Sequence, residues 1–594
     1  MNINPESAVN SSHHRAAFAS LLSVLVFALA ACSQSGPATS SGGNERWAKY
    51  VDDFTESYLK AHQDFAVNAG RHEFDGQIPA TSAAGIAAEI ERMRGERRKA
   101  VAFFESNLSA EERFQRDYVV AVIDRDLYWL DAARRPFWNP AYYVDALEPS
   151  PYIQRNYASA DVRMAAFTKY ANEVPRVAAD ARANLSMPMA RTLLNYGIDS
   201  FGGLADYFEK DVPAAFATVT DAKLKSDFAA ANAKAITAMR DLAAYLKAQL
   251  SSSLPSFALG PDLFAKMVHD TEGVDLTLEQ LENAGRADLE RNLQALREAC
   301  VDFLKGKTLE ECVAKVSARK PTGGTVEAAR AQLPKLRAFI VEHDLVGIPG
   351  TEQAEVAEAP PYARSNFAFI NIPGPYEKNL PSVYNVAPPD SAWSAAEQAA
   401  YVPSESALLF TSVHEVWPGH FLQFLHSNRA SWRFGQLFVG YAFAEGWAHY
   451  SEEMMWEAGL GAGDPATHIG QLQQALTRNV RYLCAISIHA RGRPPADCDK
   501  MFREQAFRDA GNARQQAARG VYDPAYLNYT LGKLMIRKLR GDWTASRGGR
   551  AAWKQFHDQF LSYGGPPVPL VRRQMLGNGS GDVLELPKPA QPEG

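Results

Sequence analysis

The chain has 594 residues, of which 46% are hydrophobic and 22% are charged, and its formal net charge is −6. This composition excludes a disordered or collagen-like protein, and the length allows one large domain or several domains of ~150 residues each. No basic segment is long enough to form an electrostatic surface for DNA or RNA, so we expect no nucleic-acid partner.

The N-terminus has the pattern of a bacterial export signal. After Arg15 come sixteen uncharged, mostly apolar residues and then Cys32. A run of sixteen is short for a bilayer span of ~20 residues, and no later apolar run reaches that length. Because the last four residues of the pattern, Leu-Ala-Ala-Cys, resemble a lipobox, we expect residues 1–31 to be a lipoprotein signal peptide and Cys32 to be lipid-modified. The alternative is a plain secretory signal with an incidental cysteine.

The same pattern predicts where the protein is located. Residues 32–45 are polar and rich in Ser and Gly, which is typical of a flexible tether. The tether and the expected lipid predict a protein of the bacterial cell envelope that contacts the membrane through its anchor alone. Ser33 rather than Asp follows the cysteine, which resembles outer-membrane sorting and predicts a protein that faces the periplasm.

The body of the chain is dominated by long helical patterns. Ser109 lies three residues before Glu112, a capping box that predicts a helix start. Apolar residues recur at helical spacing through several long stretches, namely 46–68, 81–107, 110–135, 162–185, 221–250 and 278–304. A Pro-rich, aromatic stretch over 360–389 is where short strands are expected. We therefore predict a mainly α fold with a few short strands.

Four cysteines lie beyond Cys32. In an oxidising compartment they allow three full pairings, and none has the spacing of a thiolate metal site. The simplest pairing joins neighbours along the chain, Cys300 with Cys312 and Cys484 with Cys498. The alternative is four buried free thiols.

The segment from His414 to His420 carries the most specific chemical signal. It reads His414-Glu415-Val-Trp-Pro418-Gly419-His420, which is similar to the zinc-hydrolase motif in which two histidines bind a metal and a glutamate polarises water. On a regular helix, positions six apart are separated by roughly 240°. Because Pro418 interrupts the helical hydrogen bonds and Gly419 permits unusual dihedral angles, we expect the helix to break there and bring both imidazoles together.

A third ligand is expected nearby. Glu445 lies on an otherwise apolar helix, where an unpaired charge costs several kcal/mol and a metal ion would compensate it. His449 and Glu452 lie on the same face at i+4 and i+7. We take Glu445 as the third ligand and place His449 and Glu452 in the shell that supports the ligands. His449 as a ligand in place of Glu445 stays open.

These motifs resemble the bacterial domain of unknown function 885 family. The shared elements are the His-Glu-x-x-Pro-Gly-His string, a later Glu-Gly-Trp-Ala-x-Tyr string that begins at Glu445, and a Tyr-x-x-Gly-Lys helix that begins at Tyr529. The resemblance covers roughly residues 46–580. It implies a single family-sized domain, with an N-terminal helical part (46–358), a metal-site part (359–580) and a C-terminal tail (581–594).

That family is similar to the gluzincin metallopeptidases. The similarity implies a zincin-like helical body around a zinc cleft, one Zn²⁺ per chain held by His414, His420 and Glu445, and a peptide substrate. Glu415 would act as the general base, while resemblance and residue type suggest His489 and Tyr529 as donors to the oxyanion. Manganese or cobalt in place of zinc stays open.

Some residues near these motifs have less specific interpretations. Lys533 and Arg481 could meet a substrate carboxylate, as could Arg491 and Arg493, although the sequence favours a solvated helix face for all four. Trp417 is expected to be a packing residue. Two other functions remain possible for the whole chain, namely a metal-dependent hydrolase of other amides or esters and a catalytically silent metal-containing envelope binding protein.

Overall fold

A computed structural model describes residues 44–359, 364, 367–389, 391, 393–461, 463–577, 579 and 581–585. The expected signal peptide, Cys32 and the first twelve residues of the expected tether lie outside the described residues. From Asn44 onwards the chain groups into one unit by its contacts.

The N-terminal part consists of helices. In chain order they are α1 (Glu45–Ala61), α2 (Gln63–Asn68), α3 (Ala83–Val101), α4 (Ala110–Leu127), α5 (Ala141–Ala146), α6 (Ser150–Gln154), α7 (Ala160–Asn184), α8 (Arg191–Lys210), α9 (Val212–Ala215), α10 (Ala222–Ala248), α11 (Pro261–Glu272), α12 (Leu278–Phe303), α13 (Leu309–Ser317) and α14 (Thr325–Glu342).

The C-terminal part begins with three strands and continues in helices. These are β1 (Ala354–Glu358), β2 (Ala368–Asn371), β3 (Ser382–Val386), α15 (Ala395–Tyr401), α16 (Glu405–Glu415), α17 (His420–Ser427), α18 (Arg433–Leu437), α19 (Tyr441–Glu457), α20 (Pro465–Ala485), α21 (Pro495–Gln505), α22 (Ala510–Tyr522), α23 (Asn528–Thr544), α24 (Trp553–Ser562) and α25 (Val568–Leu576).

The mainly α prediction is confirmed, and the differences lie at the ends of the helices. The stretch predicted over 46–68 is divided at His62 into α1 and α2. The stretch predicted over 110–135 ends as α4 at Leu127 and continues as a π-helical turn, Tyr128–Ala132. The capping box is present, because the Ser109 hydroxyl accepts the Glu112 N–H and the Glu112 carboxylate accepts the Ser109 N–H.

The three strands form one small mixed sheet in the order β1-β3-β2. β1 runs parallel to β3, with Ala354 opposite Ser382, and β2 runs antiparallel to it, with Ile370 opposite Tyr384. The central strand β3 is buried, whereas β2 is an edge strand and is only half-buried. The sequence predicts strands only within 360–389, and β1 precedes that stretch.

Helices from the two parts of the chain pack against each other. Phe54 and Tyr58 of α1 share a buried apolar cluster with Phe434 and Phe438, which follow the metal motif. The Tyr118 hydroxyl of α4 donates to the carbonyl of Phe438. The packed region also extends beyond the predicted boundary at residue 580, since Leu584 is buried.

Lys533 does not lie on a solvated helix face, so that expectation is corrected. Its side chain is 0% exposed, and Nζ lies 2.5 Å from Asp288 Oδ2 of α12 and 3.4 Å from Glu453 Oε2 of α19. Removal of an ammonium from water costs several kcal/mol unless it is paired, so the two carboxylates make this burial possible. Lys533 therefore fastens α23 to α12 and is not available to a substrate.

The structure joins Cys300 to Cys312 and Cys484 to Cys498, which is the pairing of chain neighbours. The first disulfide links the end of α12 to α13, and the second links the end of α20 to α21. Within the described residues no helix is both long enough and apolar enough to cross a bilayer.

Candidate metal centre and catalytic site

The helix that carries His414 breaks where the sequence predicts it. α16 ends at Glu415, α17 begins at His420, and the Trp417–Pro418 peptide bond is cis. The backbone folds back closely, because the Gly419 N–H donates to the carbonyl of Val413. A Cβ atom at Gly419 would lie 1.8 Å from the carbonyl oxygen of His414, so only glycine fits this turn.

The Glu445-Gly446-Trp447 string of α19 supports this break. The Trp447 indole is buried and donates from Nε1 to the carbonyl of Pro418 at 2.8 Å. A Cβ atom at Gly446 would lie 2.5 Å from the Cα atom of Gly532, so these two glycines let α19 and α23 pack closely. The string thus fixes the position of Glu445 relative to the broken helix.

The side chains of His414, His420 and Glu445 converge on one point. Oε2 of Glu445 lies 3.2 Å from Nε2 of His414 and 3.3 Å from Nε2 of His420, and each of the three residues offers a ligand atom within 4.8 Å of the other two. Donor atoms that bind a tetrahedral zinc at ~2.1 Å lie roughly 3.4 Å from one another. The group therefore has the spacing and the N/O chemistry of a three-residue zinc site.

His414 is oriented from its other nitrogen. Nδ1 lies 2.8 Å from Oε1 of Glu452, which is fully buried, and Arg478 of α20 contacts both oxygens of the same carboxylate at 2.9 and 3.0 Å. Because the carboxylate of Glu452 accepts, Nδ1 carries a proton, and Nε2 is the nitrogen that faces Glu445 and would be free to bind a metal ion. A histidine held in this way by a carboxylate is typical of metal sites.

The electrostatics of the group reflect close contact between acids and bases. Burial and Arg478 lower the pKa of His414, but the hydrogen bonds with Glu445 and Glu452 outweigh them and raise it to about 9. Burial opposes ionisation of Glu445, yet His420 and His414 hold the pKa of its carboxyl well below the ordinary range. The carboxylate is therefore ionised and available as an anionic ligand.

Glu415 is next to this group but is not one of the three converging residues. Its side chain borders a cavity that the three converging residues also border. Burial raises the pKa of its carboxyl above the ordinary glutamate value, while His414 and His420 oppose that shift. A carboxylate in this position can accept a proton from a water molecule and release it again.

The ring of Tyr529 lies near the imidazole of His414. Its ring stacks on the imidazole with 6.2 Å between ring centroids, and its hydroxyl is 3.3 Å from Arg519 Nη2. Tyr529, the three converging residues and Glu415 all border one cavity of about 1950 Å³. Strand β2 forms part of the same wall.

The structure does not bring His489 or His449 to the converging side chains. The His489 ring is 0% exposed and pairs through Nε2 with the carbonyl of Gly520 at 2.7 Å, and burial lowers its pKa to about 4. His449 is also 0% exposed, and its Nδ1 lies 3.6 Å from Oε2 of Glu452, so it packs behind the carboxylate that orients His414. Neither histidine borders the cavity.

Arg478, which binds Glu452 and borders the cavity, is a residue of the site that the motifs do not predict. The signal was present, because an arginine within a buried helix requires a partner, but the sequence does not identify that partner. Trp417 is buried and packs edge-on against Phe421, as the sequence predicts for a packing residue.

Comparison with known proteins places the chain in a family. The profile of the family described as "Bacterial protein of unknown function (DUF885)" matches residues 64–575. The chain belongs to this family. The match includes every residue of the converging group and agrees with the resemblance that its motifs predict. No curated protein matches the chain.

Solved structures share the fold of this DUF885 protein. One is described as a "putative lipoprotein of unknown function" from Shewanella oneidensis, with 22% identity, a TM-score of 0.74 and coverage of 89% of this chain and 99% of the other. The second is described as a "putative lipoprotein" from Colwellia psychrerythraea, with 16% identity, a TM-score of 0.74 and coverage of 89% and 98%. At these identities the similarity is one of fold.

Proposed function

We propose that this protein is a zinc-dependent peptidase of the bacterial cell envelope, anchored by a lipid at Cys32. The observation that carries the proposal is the convergence of His414, His420 and Glu445, whose facing atoms are 3.2 and 3.3 Å apart. The sequence before Asn44 and the two similar proteins described as lipoproteins support the location.

The residues present fit a zinc ion. Oε2 of Glu445 is buried and, among the described residues, has no polar partner other than Nε2 of His414 and Nε2 of His420, which it faces at 3.2 and 3.3 Å, as expected of three atoms that share one ion. His414, His420 and Glu445 would hold the ion and leave a fourth position open. When bound, zinc supplies a Lewis acid that makes water acidic near neutral pH and polarises a carbonyl group.

The protein's own groups would then perform the proton transfers. The Glu415 carboxylate takes a proton from the attacking water and delivers it to the nitrogen of the leaving amine. The Tyr529 hydroxyl, beside the ligand His414, donates a hydrogen bond to the oxygen of the substrate carbonyl as negative charge develops there. His489 has no role in this mechanism, because its ring is buried and does not border the cavity.

The wall of the cavity favours a peptide substrate. β2 lines the cavity and is an edge strand, since it pairs with β3 along one edge and with no other described strand along the second. An extended peptide can add to such an edge through main-chain hydrogen bonds. An ester or a small amide has no such repeating groups, so this feature favours a peptidase over the other hydrolase class.

Glu415→Gln provides the test, with Glu405→Gln as the matched control, since Glu405 is an exposed residue in the first turn of the same helix. Loss of the general base should lower the rate of peptide hydrolysis by roughly 10²- to 10⁴-fold and leave the zinc content near one per chain, as measured by elemental analysis. The control should retain both.

The alternatives give different results in the same assay. Turnover of esters without turnover of peptides would indicate the second hydrolase class. If the wild-type protein binds zinc but has no hydrolytic activity that is lost in Glu415→Gln, the result would indicate a binding protein.

A further inference from the structure

Two arginines on the cavity wall lack the acidic partner that a guanidinium usually has at such a position. Arg481 of α20 donates from Nε to the Gln516 side chain at 2.8 Å, and Arg508 donates from Nε to the Thr477 hydroxyl at 2.7 Å. Within the described residues neither arginine has a carboxylate oxygen within 4.0 Å, and the terminal nitrogens of Arg481 form no hydrogen bond. Both residues border the cavity.

Their neighbours on the same wall are compensated. Arg478 is paired with Glu452, and Arg519 lies 3.0 Å from Asp523. Asp509, which follows Arg508 in the chain, is exposed and caps α22 by accepting the N–H groups of Gly511 and Asn512. Two positive charges are therefore left over at this end of the cavity.

The pKa values of both arginines, Arg481 and Arg508, are lowered. Burial and the neighbouring Arg481 and Arg478 lower the pKa of Arg508 to about 10. Burial and Arg519 lower the pKa of Arg481 in the same way, and Tyr529 opposes the shift. A guanidinium depleted of water and close to other cations is stabilised when an anion binds beside it.

Arg481 is close to the candidate metal centre, and Arg508 is bonded to Thr477, one turn before Arg481 on α20. The guanidinium carbon of Arg481 lies 4.9 Å from the centre of the Tyr529 ring, and the same ring lies 6.2 Å from that of His414. One aromatic ring thus separates the surplus charge from the converging ligands, so a single substrate residue can reach both.

We propose that Arg481 and Arg508 form an anion subsite that binds a carboxylate of the substrate within about one residue of the bond that is cleaved. A carboxylate presents two oxygens in a plane, which matches the fork of terminal nitrogens that Arg481 offers. This inference rests on the proposed peptidase function. The carboxylate is either the C-terminus of the peptide or an acidic side chain.

A binding measurement tests the subsite separately from catalysis. The zinc-loaded Glu415→Gln protein is incubated with a mixture of N-acetylated hexapeptides in three forms, and the retained peptides are quantified by mass spectrometry after ultrafiltration. The forms have a free C-terminus, a C-terminal amide without acidic residues, and a C-terminal amide with one Glu. Peptides with a carboxylate should be retained roughly 10- to 100-fold better than amides that have none.

Substitution of the arginines should abolish that preference. Arg481→Gln and Arg508→Gln, singly and together, should reduce the ratio of retained peptides towards one, whereas Arg481→Lys should retain part of it. Arg491→Gln is the control, because Arg491 pairs with Glu282 outside the cavity, and it should change nothing. Preference for peptides with a free C-terminus would show that the subsite binds the C-terminal carboxylate. Preference for the amidated peptides with one Glu would show that it binds an acidic side chain.

Equal retention of all forms, or retention of none, would overturn the subsite. A preference that survives in the double variant would overturn it as well. If carboxylate peptides are retained through the two arginines but the wild-type protein hydrolyses none of them, the proposed function fails and the subsite stands.

Discussion

At the scale of single residues, His414 depends on a carboxylate that does not touch the metal position. Glu452 accepts the Nδ1 proton and is itself held by Arg478. Such a partner orients the imidazole and increases its basicity. The basicity of His414, and with it the strength of this residue as a ligand in the proposed zinc site, therefore depends on α19 and α20 as well as on its own helix.

Glu452→Gln should lower the affinity for zinc by roughly 10- to 100-fold, because the amide is uncharged and leaves Arg478 without its counter-charge. Competition with a chelator measures this change. Glu457→Gln, on the same helix but paired with Arg540 nearer the surface, should leave the affinity unchanged. Equal affinities in the wild-type protein and the Glu452 variant would show that Glu452 does not support the site.

Glu272, which does not border the cavity, gives a pH prediction. Burial raises the pKa of its carboxyl to about 8, and Arg125 opposes that shift. The folded protein therefore holds a proton that the unfolded chain releases above its ordinary pKa, so the contribution to stability is complete below pH ~4.5 and is lost as the pH rises to 8. Glu272→Gln keeps a neutral side chain at every pH and should remove this loss.

We expect Glu272→Gln to match the wild-type protein at pH 4 and to exceed its free energy of unfolding by roughly 3 to 5 kcal/mol at pH 8, measured in urea. The exposed Glu279 serves as the control, since Glu279→Gln should show no such divergence with pH. Parallel pH profiles for the wild-type protein and Glu272→Gln would contradict the prediction.

At the scale of secondary-structure elements, the decisive feature is the break between α16 and α17. It converts a spacing of six residues, which points two side chains apart on a regular helix, into a pair of imidazoles with ring centroids 4.8 Å apart. The break is closed by a backbone contact that leaves no room for a Cβ atom at Gly419.

Gly419→Ala should therefore move His420 away from His414. We expect a loss of zinc binding together with a decrease of roughly 1 to 3 kcal/mol in the free energy of unfolding, since the clash is with backbone. Gly541→Ala is the control within a helix, because no atom lies within 4 Å of its added Cβ, and it should be neutral or stabilising by up to ~1 kcal/mol. Normal zinc content in Gly419→Ala would show that the turn tolerates a side chain.

The break and the position of Glu445 beside the two histidines are the parts of the site that the sequence predicts best, because proline, glycine and a buried acid each have a local physical signature. The burial of Lys533 has no local signature. Its partner Asp288 is 245 positions earlier in the chain, and only the packing of α23 on α12 brings them together. Arg478 and the strand β1 were missed for the same reason, since each depends on a distant partner.

At the scale of the whole molecule, each of two disulfides joins a pair of consecutive helices, α12 with α13 and α20 with α21. The pair Cys300 and Cys312 closes a loop of 12 residues, and the pair Cys484 and Cys498 closes one of 14. A disulfide that closes a loop of this length lowers the conformational entropy of the unfolded chain, which stabilises the folded protein by about 3 kcal/mol per bond. Both disulfides are outside the candidate site, so they should affect stability more than chemistry.

Reduction with dithiothreitol should lower the urea midpoint of unfolding, and the double variant Cys300→Ser with Cys312→Ser should account for about half of that decrease. Zinc content and peptide hydrolysis, measured below the transition, should not change in the double variant. An unchanged urea midpoint after full reduction would show that the bonds contribute nothing to the folded state.

The contact between Lys533 and Asp288 indicates how much of the chain must be present for the candidate site to fold. A fragment that starts at residue 359 would contain all three converging ligands, Glu415 and both surplus arginines. It would also expose the side of α20 and α23 on which Asn479, Tyr482 and Lys533 meet α12. We therefore expect deletion of the N-terminal helices to unfold the fragment, and any duplication or transfer of the proposed activity between proteins must move nearly the entire chain.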